Sequence, residues 1–546
     1  MALAYINVES LFGNTTYTWI FAITVVFLTF LKWYLGKNDD YWKKKDVPNV
    51  SRPGVFYLLY VLATKNIAEL IKNLTIMPVG KVYGSFDGNK PNVVVGDPDL
   101  LRDILVKDFN VFPYRRIMNV GDPVSDNNVS VVVGEDWKRI RTTITPAFTS
   151  KRMRQMGFII NECAKSVIEV CEKHCEKGQP VDCKGMFGAF TMDVIAKSAF
   201  GTQINSHNDP QNEFVRKVRE SFLSFTIPRF VFSIVVPTWF LKLLPASLSP
   251  MLLDKDNFFR DVIRKIIQKR KETETKYNDF LQLLMDAAEE NARQENLETA
   301  EDETDRYGSV SSSGALSSSV KHKSITDTEL LAQCVMFFMA GYETTATVLT
   351  FVAYCLTVNP EWQEKVIKEV DEGFRKHKEM SYDAVREMKI LDAVVSETLR
   401  MHPPATSTER TAVEDYKLRD TGIVIEKGMR VTIPTMSMHY DPDFFQDPQT
   451  FNPERFMDSY EPKHPQYAYL PFGAGPRNCL GMRFALLEIK MCISNVLRHF
   501  RLRPHSTTKV PLEYKKGMIL LSVNDLPLSL ERRTDLENRE SGGKQK

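Results

Sequence analysis

The chain has 546 residues, a mass of 62.6 kDa and a formal net charge of +2, from 71 basic and 69 acidic side chains. Its 43% apolar and 26% charged residues are ordinary for a protein that buries a large core, and they exclude a disordered, collagen-like or multi-span membrane chain. The charge balance gives no pull towards nucleic acid.

Leu11 to Leu31 carries no charge and is long enough, as a helix of about 31 Å, to cross one hydrocarbon core. Trp19, Trp33 and Tyr34 stand where interfacial aromatics belong, and Lys32, Lys37, Lys43, Lys44 and Lys45 follow the span. Residues 1–36 therefore read as a signal-anchor with the C-terminal body in the cytosol. A cleaved signal peptide would carry its basic residues ahead of a shorter apolar run. Residues 37–55, polar and holding Pro48 and Pro53, read as a linker. Residues 56–533 read as one large body, mainly α-helical with smaller β-sheets, and 534–546 as a polar tail.

Within the body, Lys81–Val95 reads as a hairpin, with strands over Val82–Phe86 and Asn92–Val95 flanking a loop that starts at Asp87-Gly88. Residues 97–400 are mostly helical by periodicity. The eight cysteines show no pairing pattern, which favours a reducing compartment. Cys163, Cys171, Cys175 and Cys183 cluster around His174, but without a Cys-x-x-Cys pair the segment reads as a helix with a turn after Gly178. Residues 221–253 are apolar, yet Pro228, Pro237 and Pro245 break any straight span. They read equally as core or as a surface dipping into a membrane. Residues 289–323, acidic and then Ser-rich, read as a flexible insertion.

Thr326–Val358 opens on a Thr-x-x-Glu capping box and runs about 50 Å as a helix. It is apolar on both sides of Gly341–Thr345, so it reads as a buried helix interrupted by polar groups; Glu343 at mid-run argues against a membrane span. Glu397 and Arg400 share a helix face that Pro403 and Pro404 terminate, and apolar neighbours argue that the pair is buried. Tyr416–Pro434 and Leu512–Leu530 read as strand-rich. At the end of the body, glycines 473 and 475 permit a tight loop that leads through Arg477 to Cys479 at the start of an amphipathic helix. A thiolate at a helix N-terminus is favoured by the dipole and by unpaired N–H groups, and so placed it can ligate iron axially. His439 is a bland alternative ligand, without such a loop.

The frame Phe472-Gly-Ala-Gly-Pro-Arg-Asn-Cys479-Leu-Gly481 resembles the haem-binding loop of the cytochrome P450 superfamily. Four further segments resemble that family's motifs in family order: Trp137-Lys-Arg-Ile-Arg141, Ala340-Gly-Tyr-Glu343-Thr344-Thr345, Glu397-Thr-Leu-Arg400 and Pro453-Glu-Arg455-Phe456. Trp137–Ser150, Phe338–Ala346 and Gly475–Ala485 look most like the microsomal family 3 branch, which holds the 3A enzymes and thromboxane synthase. The linker departs from the family in lacking a dense Pro-Gly run.

The resemblance implies the cytochrome P450 fold, haem b and an iron held by Cys479. It implies Arg115, Trp137, Arg141, Arg410, Phe472, Arg477 and Gly481 around the haem. Thr344 and Glu343 would then be the catalytic pair, and Glu397, Arg400 and Arg455 a structural support for the haem loop. The function it implies is a monooxygenase hydroxylating a lipophilic small molecule. Electrons would come from NADPH through a reductase, with cytochrome b5 as a further donor; Lys138 and Arg139 would suit an acidic partner. The location implied is the endoplasmic reticulum membrane. A haem-thiolate isomerase or dehydratase acting on a lipid peroxide is the alternative, and Thr344 speaks against it.

Overall fold

The computed structural model describes residues 15–51, 80–116, 121–209, 211–223, 226–229, 232, 257–274, 276–277, 279–290 and 325–535. Most of the apolar stretch 221–253, most of the insertion 289–323, residues 52–55 and most of the tail 534–546 lie outside the described residues.

Helix α1 spans Thr15–Gly36 and leaves Trp19, Phe21, Val26 and Trp33 exposed. A short turn leads to α2, Tyr41–Lys44. Here the segment expected to be a linker is docked on the body. Trp42 is fully buried, its indole N–H donates to the Ser85 carbonyl at 2.8 Å, and a Cβ on Gly84 would overlap the ring.

Strands β1 (Val82–Asp87) and β2 (Lys90–Val95) form the expected hairpin. They continue into a four-stranded sheet in the order β1-β2-β7-β4, with β4 at Thr408–Thr411 and β7 at Arg430–Ile433. The β2–β7 pair is parallel and the others antiparallel. A second cluster of apolar side chains, including Val93, Val95, Val431 and Ile433, packs between this sheet and the helical turn 98–107. A two-stranded piece, β5 (Tyr416–Lys417) with β6 (Val424–Ile425), lies within the strand-rich zone read from the sequence. Between Leu512 and Leu530 only β9 (Pro527–Arg532) is a strand among the described residues. It pairs with β3 (Val181–Asp182) and β8 (Phe500–Pro504), neither of which the sequence pattern announced.

The main core is helical. Helix α5 (Gly134–Ile144) is followed by α6 (Ser150–Glu176) and α7 (Cys183–Phe200). Helix α7 is apolar nearly all round, which is the pattern of a helix buried on every side, and it packs on α6 and on α10, Asp327–Val358. Thr326 caps α10 through the reciprocal bonds with Glu329 that the capping box calls for. Helix α10 is long and apolar enough to cross a membrane, but most of it is buried inside the protein. Helix α13 (Lys389–Met401) and helix α15 (Met482–His499) complete the frame around it. Apolar burial on this scale contributes roughly 25 cal/mol per Å² removed from water.

Candidate functional site

Positive φ at Gly473 (69°) and Gly475 (72°) turns the chain sharply ahead of α15. The turn is closed by the Cys479 N–H donating to the Phe472 carbonyl at 2.9 Å and the Asn478 N–H to the Gly475 carbonyl at 3.0 Å. A side chain at 475 is excluded twice, because a Cβ there would overlap the Leu105 carbonyl. Gly481 is the residue that caps α15. Phe472 and Gly481 thus shape the loop around Cys479, and Phe472 also packs on the main apolar core.

All eight cysteines are free, and Cys479 is the one exposed thiol among them. Although the residue has exposed surface, protein atoms crowd around its sulfur, and this desolvation holds the thiol above its ordinary value against the backbone N–H groups of Gly481 and Met482 and the charges of Arg115 and Arg141. A metal cation deprotonates a coordinating thiol outright. Cys163, Cys171, Cys183 and Cys492 are pushed up by burial and read as apolar filler. Among the described residues no group of three or more His, Cys, Asp or Glu side chains is arranged to hold a metal ion.

Four guanidinium groups converge beside this loop. Arg115 donates to the Arg477 carbonyl at 2.8 Å, and Arg141 to the Asn478 carbonyl and side chain at 3.1 and 2.9 Å. Arg410, buried on β4, donates to the Glu409 carbonyl at 2.8 Å and to no other group among the described residues. Burial and the neighbouring Arg115 push Arg410 and Arg477 down to about 9. Among the described residues, Nε of Arg115 and Nε of Arg410 are buried without a partner, and no carboxylate is hydrogen-bonded to any of the four. Such a cluster calls for an anion, and the two propionates of haem b fit both its charge and its donors. Arg477 is committed differently. It donates to the carbonyls of Pro113 (2.9 Å), Val129 (3.4 Å) and Val132 (2.8 Å), and its guanidinium lies 4.3 Å from the Trp137 ring centre. It staples the loop to the segment before α5 while its charge stays in the cluster.

Glu397, Arg400 and Arg455 are brought together. Arg400 grips Glu397 through Nε and Nη2 at 2.7 and 2.9 Å, and Arg455 Nε lies 3.4 Å from the same carboxylate. All three side chains are buried. The extra partners that a buried pair needs include the Asn452 N–H, which donates to Glu397 at 2.9 Å. His439, considered above as an iron ligand, is enclosed in this support: its ring nitrogens meet the Arg400 carbonyl and the Leu470 N–H, each at 3.0 Å. Neither nitrogen is free for a metal.

On α10 the exposed stretch is at Ala340, with buried residues on both sides. The Thr344 hydroxyl donates to the Ala340 carbonyl at 2.7 Å, an i to i−4 back-bond within a helix that runs on unbroken. Glu343 accepts from Lys184 and from the Ser522 hydroxyl. Lys184 and Ser522 were not legible as site residues, since nothing local marks them. Arg139 departs from its expected role. Its fork is turned onto Glu329 and Asp136, while Lys138, exposed on the same turn, pairs with Glu135 at 2.8 Å.

A family model described as Cytochrome P450 matches residues 48–530. Cytochrome P450 3A9 of Rattus norvegicus is 34% identical over 95% of this chain and 98% of its own length. Cytochrome P450 3A5 of Homo sapiens is 37% identical over 83% of this chain and 85% of its own. Together with a lone exposed thiol on a glycine loop and an anion-hungry arginine cluster beside it, these matches identify the chain as a member of the cytochrome P450 family, a haem-b monooxygenase of the family 3 branch.

Proposed function

We propose that this enzyme hydroxylates a lipophilic small molecule, inserting one atom of dioxygen, with electrons passed from NADPH by NADPH-cytochrome P450 reductase and with cytochrome b5 as a further donor. Bound through Cys479, the haem supplies the reductive activation of dioxygen. The residues supply the rest. Arg115, Arg141 and Arg410 offer donors to the propionates, Arg477 and Gly475 hold the loop, and the aromatic and aliphatic core keeps water out. The observation that carries the reading is the Thr344 hydroxyl bonded to the Ala340 carbonyl at the exposed turn of α10, with Glu343 next to it. A peroxide isomerase has no use for a proton-delivering alcohol at this point.

The reading extends to location. Residues 1–36 anchor the chain in the endoplasmic reticulum membrane with the body in the cytosol, which is supported by the exposed apolar side chains of α1 and by the lysines after it. Microsomes holding this protein and the reductase, given a panel of lipophilic compounds, NADPH and isotopically labelled dioxygen, should yield products carrying one labelled oxygen atom. Rearrangement of a lipid peroxide with neither NADPH nor dioxygen would give the alternative its place.

A further inference from the structure

Glu343 is held from outside its own helix. Lys184 Nζ donates to Glu343 Oε1 and to Thr347 Oγ1, each at 2.8 Å. The Ser522 hydroxyl donates to the same Oε1 at 2.9 Å, and the Thr347 hydroxyl lies 3.3 Å from it. No donor among the described residues reaches Oε2. The Lys184 and Glu343 side chains are 13% and 15% exposed, so little water competes for either. The backbone under Lys184 is fixed as well, because the Asp182 carboxylate caps α7 by accepting the N–H groups of Lys184 and Gly185 at 3.1 and 3.0 Å.

This lysine is costly where it stands. Burial lowers its proton affinity against the opposing pull of Glu343. Apart from Thr191, Asp193, Lys197 and Ser198 the rest of α7 is apolar, and an apolar side chain would pack at 184 without that cost. Glu343 and Thr344 are adjacent on a helix, so their side chains project about 100° apart and do not face each other. A carboxylate free to swing would spend little time where it can serve the alcohol.

We propose that Lys184 is a positioning residue for oxygen activation, committing Oε1 of Glu343 to the cluster with Thr347 and Ser522 and leaving Oε2 as the oxygen that takes up a proton and passes it on towards Thr344. This rests on the monooxygenase reading above. The test uses the full chain with its reductase, as wild type, Lys184→Met, Lys184→Arg, Glu343→Gln and the Lys184→Met/Glu343→Gln pair. Lys184→Met should keep the thiolate carbon monoxide spectrum and the substrate-induced spectral shift, while peroxide released per NADPH rises about tenfold. Lys184→Arg should restore most of the coupling, and the double variant should be no less coupled than Glu343→Gln alone. Unfolding midpoints of the same set should be non-additive, the double variant falling no further than Lys184→Met. Peroxide per NADPH unchanged in Lys184→Met would overturn the proposal. If wild type forms no product from NADPH and dioxygen, the monooxygenase reading fails, and the unfolding set alone then judges the tether: additive midpoint losses overturn it.

Discussion

Arg400 and His439 bond each other twice, the guanidinium Nη1 donating to the His439 carbonyl at 2.7 Å and the imidazole Nδ1 to the Arg400 carbonyl at 3.0 Å. Because Nε2 accepts the Leu470 N–H, Nδ1 must carry the proton, and the ring is neutral. Two residues beyond Leu470 the haem loop begins, so this histidine joins the Glu397–Arg400 pair to the segment that delivers Cys479.

His439→Leu should therefore weaken both the fold and haem retention. It leaves the Leu470 N–H and the Arg400 carbonyl unpaired, at a cost of about 2 to 4 kcal/mol in all. The pH dependence has a definite sign. Burial pushes His439 down to about 3, below the ordinary unfolded value near 6.5. Its contribution is then full above pH 6.5 and is lost as pH falls, at about 1.4 kcal/mol per unit. Urea unfolding followed at pH 7, 6 and 5 should show a steeper acid loss in wild type than in His439→Leu. Parallel losses would contradict the neutral, buried ring.

Gly475→Ala should fail at the site rather than throughout the fold. The new Cβ would meet the Leu105 carbonyl, at a φ of 72° that side chains rarely adopt. The expected outcome is protein with near-normal helix content and a low haem-to-protein ratio. Gly473 also has positive φ, but nothing lies within 4 Å of a Cβ there. Gly473→Ala should retain more haem than Gly475→Ala, and equal losses would refute the steric account.

Glu488, on α15, is fully buried and neither of its oxygens completes a hydrogen bond. Burial holds its carboxyl well above the ordinary range, opposed by the nearby Thr191 hydroxyl. Since its folded value exceeds the unfolded one, its favourable contribution is present below about pH 4.5 and is lost as pH rises towards the folded value. Glu488→Met, of similar volume and apolar, should raise the unfolding midpoint at pH 8 by the equivalent of about 1 to 3 kcal/mol, with the advantage shrinking towards pH 5. A variant less stable than wild type at pH 8 would show that the carboxyl has a partner in solution.

How much of this was legible in the sequence depends on how local each feature is. The capping box at Thr326 and Glu329, the glycines at 473 and 475, the hairpin over 82–95 and the Glu397–Arg400 spacing are written within a few residues, and each formed as its pattern implied. Lys184 reaches Glu343 across 159 positions, and Ser522 reaches the same carboxylate across 179. No periodicity encodes such pairings, because they depend on which helix faces pack together. Trp42 illustrates the same limit: it falls in the polar stretch read as a linker, yet the missing Cβ of Gly84 makes room for it inside the body. Arg139 looked like a surface cation because its neighbours are charged, but the long-range carboxylate of Glu329 turned it inward.

The most direct test of the monooxygenase account is Thr344→Ala, assayed with reductase and NADPH for product, NADPH consumption and peroxide in the same tube. The hydroxyl now bonded to the Ala340 carbonyl is the group assigned to proton delivery, and such a step is typically worth about 10² to 10⁴ in rate. Haem content and substrate affinity should stay near wild type, while product per NADPH collapses and peroxide takes its place. Product per NADPH equal to wild type in Thr344→Ala would contradict the account.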